Sequence, residues 1–232
     1  MYPNKTMIGT LLLVLLYLAG SSFTQERDSL ENVLKSGSLT SEEYLSVCDD
    51  LSWHYLNDDF EKAKEYANIG IARAKAEKNK HMEARLYRNL GVAYYMDSRM
   101  DSAQLMLDHA LEKATEVNDE QLQAAIHGAV GNLNNVTGNF QVALAFYMKA
   151  LSVFEQHQNQ ERMRSLLGNI ATLYYSLGNL SQSEKYFTRL EEESLQADDL
   201  YNLGRAYEGF SRITLKREDF AASLEYSEKA AE

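Results

Sequence analysis

The chain has 232 residues, 45% of them hydrophobic, and a formal charge of −11 at neutral pH. That hydrophobic content is too high for a disordered chain, and the acidic excess excludes sequence-independent nucleic-acid binding, which draws its affinity from a basic footprint. A single proline, Pro3, and the lack of strand-favouring runs point to an all-α fold class.

Residues 1–24 read as a signal peptide. Lys5 precedes an apolar run from Ile8 to Ala19, and small residues follow at Gly20, Ser21 and Ser22. About a dozen apolar residues fall short of the roughly 20 that a spanning helix needs, so cleavage is expected between Ser21 and Gln25. The cleaved chain has no stable membrane span; a retained N-terminal anchor is the alternative. Cys48 is the single cysteine, so no internal disulfide can form and stability must come from packing. A signal peptide without disulfides suits export to a bacterial periplasm or cell envelope.

Residues 25–43 predict a short helix and turn, with Leu30, Val33 and Leu34 on one face. Thr40 and Glu43 have the capping-box spacing that opens a second helix. From 44 to 232 the chain repeats itself. Tyr87, Gly91, Ala103 and Ala110 return 40 residues later as His127, Gly131, Ala143 and Ala150. A further 40 residues on, Ala171 and Ser183 hold the places of Gly91 and Ala103. Units begin near 44, 84, 124, 164 and 204, each with a helix, a break rich in Asn, Asp or Gly, a second helix and a polar turn.

This alternation of large and small residues resembles the tetratricopeptide repeat family, whose signature runs W-x2-L-G-x2-Y and then A-x3-F. The second unit carries it best, at Tyr87, Leu90, Gly91, Tyr94, Ala103, Leu107 and Ala110. The 40-residue period and the missing unit-closing prolines resemble the long-period variety found in exported bacterial sensors and regulators. HEAT and armadillo solenoids share a similar period, and the recurring Gly/Ala pair favours the tetratricopeptide reading. The resemblance implies a right-handed α-solenoid of about five helix-turn-helix repeats, acting as a protein- or peptide-binding module.

No G-x-S-x-G, HExxH, P-loop or dinucleotide-binding fingerprint is present. The five histidines lack the spacing that places two ligands on one helical turn. No catalytic, cofactor-binding or metal-binding residue is therefore expected, and the chain is not expected to be an enzyme. His127 is expected in the core and Cys48 as an inert thiol. Asp49-Asp50 and Glu191 to Glu193 are expected on solvated helix faces, and the sequon asparagines Asn135 and Asn179 in or beside the repeat breaks.

Once packing positions are removed, the first helix of each unit leaves Arg85, Arg88, Tyr95, Asn132, Asn135, Tyr175, Arg205 and Arg212 on one side. In tetratricopeptide arrays that side lines the concave groove, so these residues are the candidate peptide-binding groove. Arginine offers a planar fork for carboxylates, and asparagine offers donors and acceptors for an extended backbone, which points to an acidic partner segment. The competing expectation is that these arginines pair with Asp and Glu of adjacent helices. The alternative function is the sensory portion of a bacterial signalling receptor, such as a histidine kinase or transcriptional regulator. The sequence ends at Glu232 with no polar capping helix, an open end that would allow self-association.

Overall fold

The computed structural model describes residues 27–35, 37 and 39–231; the expected signal peptide at 1–24 lies outside them. Among the described residues, all regular structure is helical. Helix α1 covers 27–35 and α2 runs Ser41–His54, ending in a 3₁₀ turn at Tyr55–Asn57. Then follow α3 (Phe60–Ala76), α4 (Lys80–Met96), α5 (Met100–Glu116), α6 (Glu120–Val136) and α7 (Phe140–Gln156). The last four are α8 (Gln160–Ser176), α9 (Leu180–Gln196), α10 (Leu200–Lys216) and α11 (Phe220–Ala231). From α4 the first helix of each unit starts at Lys80, Glu120, Gln160 and Leu200, a spacing of 40 residues.

Each helix from α3 to α10 is stopped by the same device. Lys78, Ser98, Asn118, Gly138, Gln158, Gly178, Asp198 and Glu218 all sit at positive φ. One such residue reverses the chain and lets the next N–H reach back to an unsatisfied carbonyl, as Asn139 does to Asn134 O at 2.8 Å. The residue after it starts the next helix as its N-cap. The side chains of Asn79, Asp119, Asn159, Asn179 and Asp199 each accept from the backbone N–H three residues on. The periodic Asn and Asp thus serve as caps on helix starts. At Thr40 both arms of the capping box form. Helix α1 is tied down by Glu31, which accepts from the Tyr55 hydroxyl at 2.6 Å and from Lys62 Nζ at 3.1 Å. Those bonds, the Tyr55 one first, lower the Glu31 pKa to about 2.

Three-residue turns force consecutive helices antiparallel, and small residues set how closely each pair approaches. A Cβ added at Gly91 would lie 2.8 Å from Leu107 Cγ and 3.3 Å from Ala103 O. In the fourth unit Ser183 replaces the alanine, and its buried hydroxyl donates to Ala171 O at 2.9 Å. In the fifth, Ser211 and Ser223 take both places, with their hydroxyls 3.1 Å apart. From the second unit to the fifth the crossing falls at the same positions, and its chemistry shifts from van der Waals contact to hydrogen bonding; in the first unit Leu51 takes the place of the glycine.

The first helices pack on each other as well as on their chain neighbours: α2 on α4, α4 on α6, α6 on α8 and α8 on α10. The backbones of the second helices stay apart, joined by long side chains such as Arg189 to Glu155 (2.5 Å). An array that is close on one side and splayed on the other must curve, so α4, α6, α8 and α10 line its inner face. Burial agrees: α4 buries residues on several sides, from Glu83 to Ala93, whereas α5 buries a single stripe, Ala103, Leu107, Ala110 and Ala114. The chain is an α-solenoid. No helix among the described residues is long and apolar enough to cross a membrane.

Candidate functional site

The inner face carries the eight candidate residues in three separate groups. The first lies toward the starts of α4, α6 and α8. Arg85 ion-pairs with Asp49 of α2. Asp49 was expected in solvent and is instead 3% exposed. The repeat places it against Asn89, whose Nδ2 donates to Asp49 Oδ1 at 2.9 Å and to Ser52 Oγ at 2.8 Å. Arg88 is 8% exposed and has no carboxylate within ion-pair distance among the described residues. Its Nη2 donates to Asn89 Oδ1 at 2.9 Å, and its guanidinium lies over the Trp53 ring at 5.2 Å. Burial first, and then the neighbouring Arg162 and Arg85 charges, pull its pKa down to about 10 against the attraction of Asp49. Arg85 and Arg88 line a cavity of about 340 Å³ together with Arg162, His81, Asp119 and Asn159.

The second group is the most organised. Tyr95 from α4, Asn132 and Asn135 from α6, Asn169 and Thr172 from α8 and Arg205 from α10 surround a cavity of about 280 Å³. A hydrogen-bonded chain runs across three units. The Tyr147 hydroxyl donates to Asn132 Oδ1 at 2.7 Å, Asn169 Nδ2 donates to the same oxygen at 3.1 Å, and Arg205 Nη2 donates to Asn169 Oδ1 at 2.9 Å. Arg205 is therefore held by neutral amides. A Cβ at Gly168 would lie 2.7 Å from its Cζ, so glycine there makes room for the guanidinium. Among the described residues no carboxylate pairs with Arg205, and the Asn132 amide nitrogen and the Asn135 side-chain amide have no protein partner. The cavity thus presents unused donors and an uncompensated positive charge.

The third group is Tyr175 with Arg212, whose guanidinium lies 4.4 Å from the ring centroid; Lys216 reaches the same ring at 5.2 Å. Among the described residues, the expected ion pairing of the groove arginines holds for Arg85 and not for Arg88, Arg205 or Arg212.

Three contributors escaped the sequence reading. Tyr147 fills a packing position, yet its hydroxyl reaches the cavity. Arg162 lies exposed in the first turn of α8, beside an inter-unit loop. Asn169 stands 80 residues after Asn89, a coincidence of register that could have singled it out. Cys48 is fully buried, and burial pushes its thiol up to about 12, so it is unreactive. His127 is buried against Phe146, with ring centroids 5.6 Å apart.

Residues 82–156 match the tetratricopeptide repeat family model. Outer dynein arm-docking complex subunit 4 of Xenopus laevis is 30% identical over 135 residues, which is 55% of this chain and 24% of that protein. The chain thus spans about a quarter of the length of that relative. Among solved structures, BtubC (BKLC) from P. vanneervenii superposes with a TM-score of 0.72 at 18% identity, covering 91% of this chain and 87% of its own. A Rap protein complexed with Competence and Sporulation Factor gives 0.72 at 13% identity, covering 94% of this chain and 71% of that one.

Proposed function

We propose that this chain, whose residues 82–156 match the tetratricopeptide repeat model, is a binding module that holds an extended, acidic partner segment along the inner face of the solenoid. The observation that carries this is the chain from Tyr147 through Asn132 and Asn169 to Arg205. It fixes two amides and a guanidinium before any ligand arrives, so little side-chain ordering remains to be done on binding. The unused donors at Asn132 and Asn135 suit main-chain carbonyls, and Arg205 and Arg212 suit carboxylates. A Rap protein of similar fold was solved with Competence and Sporulation Factor bound, which supports a ligand-holding role for the architecture.

Peptides selected from a random library on the immobilised chain should be rich in Asp and Glu. Their affinity should fall at least tenfold in an Asn132→Ala, Arg205→Ala double variant. Selected peptides that bind this variant as tightly as the parent would place the binding surface elsewhere.

Export is part of this reading and rests on the apolar run from Ile8 to Ala19. The mass of the chain recovered from its own cells, with or without residues 1–24, tests it.

A further inference from the structure

The first cavity contains more positive charge than the fold has neutralised. Arg85 has a partner in Asp49, but Arg88 and Arg162 have no carboxylate within ion-pair distance among the described residues. Arg88 is buried among α2 and α4 side chains, while Arg162 is exposed and projects from the start of α8, two units along. Both line the same space of about 340 Å³, floored by Leu122, Ala125 and Phe154. One carboxylate, Asp119, stands in the wall, and both of its oxygens are engaged. Oδ1 accepts from Leu122 N at 2.9 Å as the α6 cap, and Oδ2 lies 3.1 Å from His81 Nε2. A buried guanidinium without a counter-ion is costly to maintain, and it faces a second cation across an open cavity.

We propose that this cavity is an oxyanion site, in which Arg88 and Arg162 close on a doubly charged phosphomonoester group while Arg85, Asn159 and Gln121 complete the rim. Charge decides between oxyanions. Two guanidiniums lack carboxylate partners among the described residues; a phosphomonoester carries roughly −1.5 to −2 at neutral pH and has three acceptor oxygens, whereas a carboxylate supplies one charge and two. Arginine pairs from different helices fit a tetrahedral group approached from two directions. The site rests on the reading of the inner face as the ligand-bearing side, but uses none of the Asn132–Arg205 chain.

The test is calorimetric titration of the full chain with inorganic phosphate, with blocked O-phosphoserine (acetylated and amidated) and with blocked glutamate, against chloride at matched ionic strength. Both phosphate probes should bind saturably, and glutamate at least tenfold more weakly. Tighter binding of phosphoserine than of phosphate assigns the ligand to a phosphorylated protein side chain, and the reverse order to a free phosphate compound. Arg88→Gln and Arg162→Gln should each weaken phosphate binding at least tenfold; should Arg88→Gln fail to fold, the exposed Arg162 position decides alone. Unsaturable binding, variants that bind like the parent, or glutamate binding as tightly as phosphate would overturn the site. The Asn132→Ala, Arg205→Ala variant should titrate phosphate normally, so failure of the peptide groove and failure of this site are told apart.

Discussion

His127 stands in place of Tyr87 one unit earlier, an ionisable ring where the family's pattern has an aromatic one. Burial, with a smaller push from Lys149, lowers its pKa from 6.5 to about 4. The unfolded chain takes up a proton at this residue near pH 6.5, and the folded chain resists until about pH 4. Its stabilising effect is therefore complete above pH 6.5 and is lost as pH falls toward 4. Between pH 7 and pH 5 that loss is about 2 kcal/mol. His127→Phe keeps a ring against Phe146 and removes the proton uptake. Urea unfolding at the two pH values should show the variant losing about 2 kcal/mol less than the parent; equal losses would put the imidazole in contact with water. The place of His127 was legible because apolar packing repeats with the period. Asp49 was not, because its row reads Asp49, Asn89, Ala129, Asn169 and Gly209. Two polar residues there satisfy each other only in the first pair of units, and one unit's sequence does not show what the neighbouring unit offers.

Two glycines on α6 separate close packing from open groove. A Cβ at Gly131 would fall 2.5 Å from Tyr147 Cδ1 and Cε1, and that ring cannot yield, being 1% exposed and tied through its hydroxyl to Asn132. A Cβ at Gly128 would meet only Leu166 Cδ2 at 3.6 Å, an ordinary contact. Replacing a mid-helix glycine by alanine favours the helix by about 1 kcal/mol, and overpacking a core costs about 1–3 kcal/mol. Gly128→Ala should therefore raise the unfolding free energy by up to about 1 kcal/mol, and Gly131→Ala should lower it by up to about 2 kcal/mol after that gain is subtracted. Denaturant midpoints shifting in the same direction for both would mean that α6 is seated on α7 in another register. The pairing of Gly91 with Ala103 and of Gly131 with Ala143 was readable from the 40-residue spacing, since close approach leaves room for little else. The three-way division of the groove was not. It depends on which first-helix side chains meet across units, as Asn132 meets Asn169 at 3.1 Å, and that is set by the curvature of the array.

At the scale of the whole molecule, each unit touches only its neighbours, so stability should be a sum of local terms with no single core to lose. The polar knot at Asn89 tests this. Its amide nitrogen bonds Asp49 Oδ1 and Ser52 Oγ, and its amide oxygen accepts from Arg88. In Asn89→Ala those buried groups lose their partner at once, leaving Asp49 and Arg88 as charges with less to hold them. Each unsatisfied group costs about 1–3 kcal/mol, and the total should be on the order of 3 kcal/mol. In a globular domain such a loss would lower amide protection everywhere. In this array, among the described residues, the contacts crossing from α4 pass to α2 and its 3₁₀ turn, α3, α5 and α6 and no further. Hydrogen exchange should therefore show α2 to α4 opening at a free energy lower by about 3 kcal/mol, with α9, α10 and α11 at their parent values. A uniform drop along the chain would show that the units fold as one cooperative block, and the inner-face cavities would then respond together to any change at Arg88. A drop confined to the first units would leave the hydrogen-bonded chain from Asn132 to Arg205 intact, with only Tyr95 of that cavity's wall on an opening helix, while the Arg88 cavity loosens.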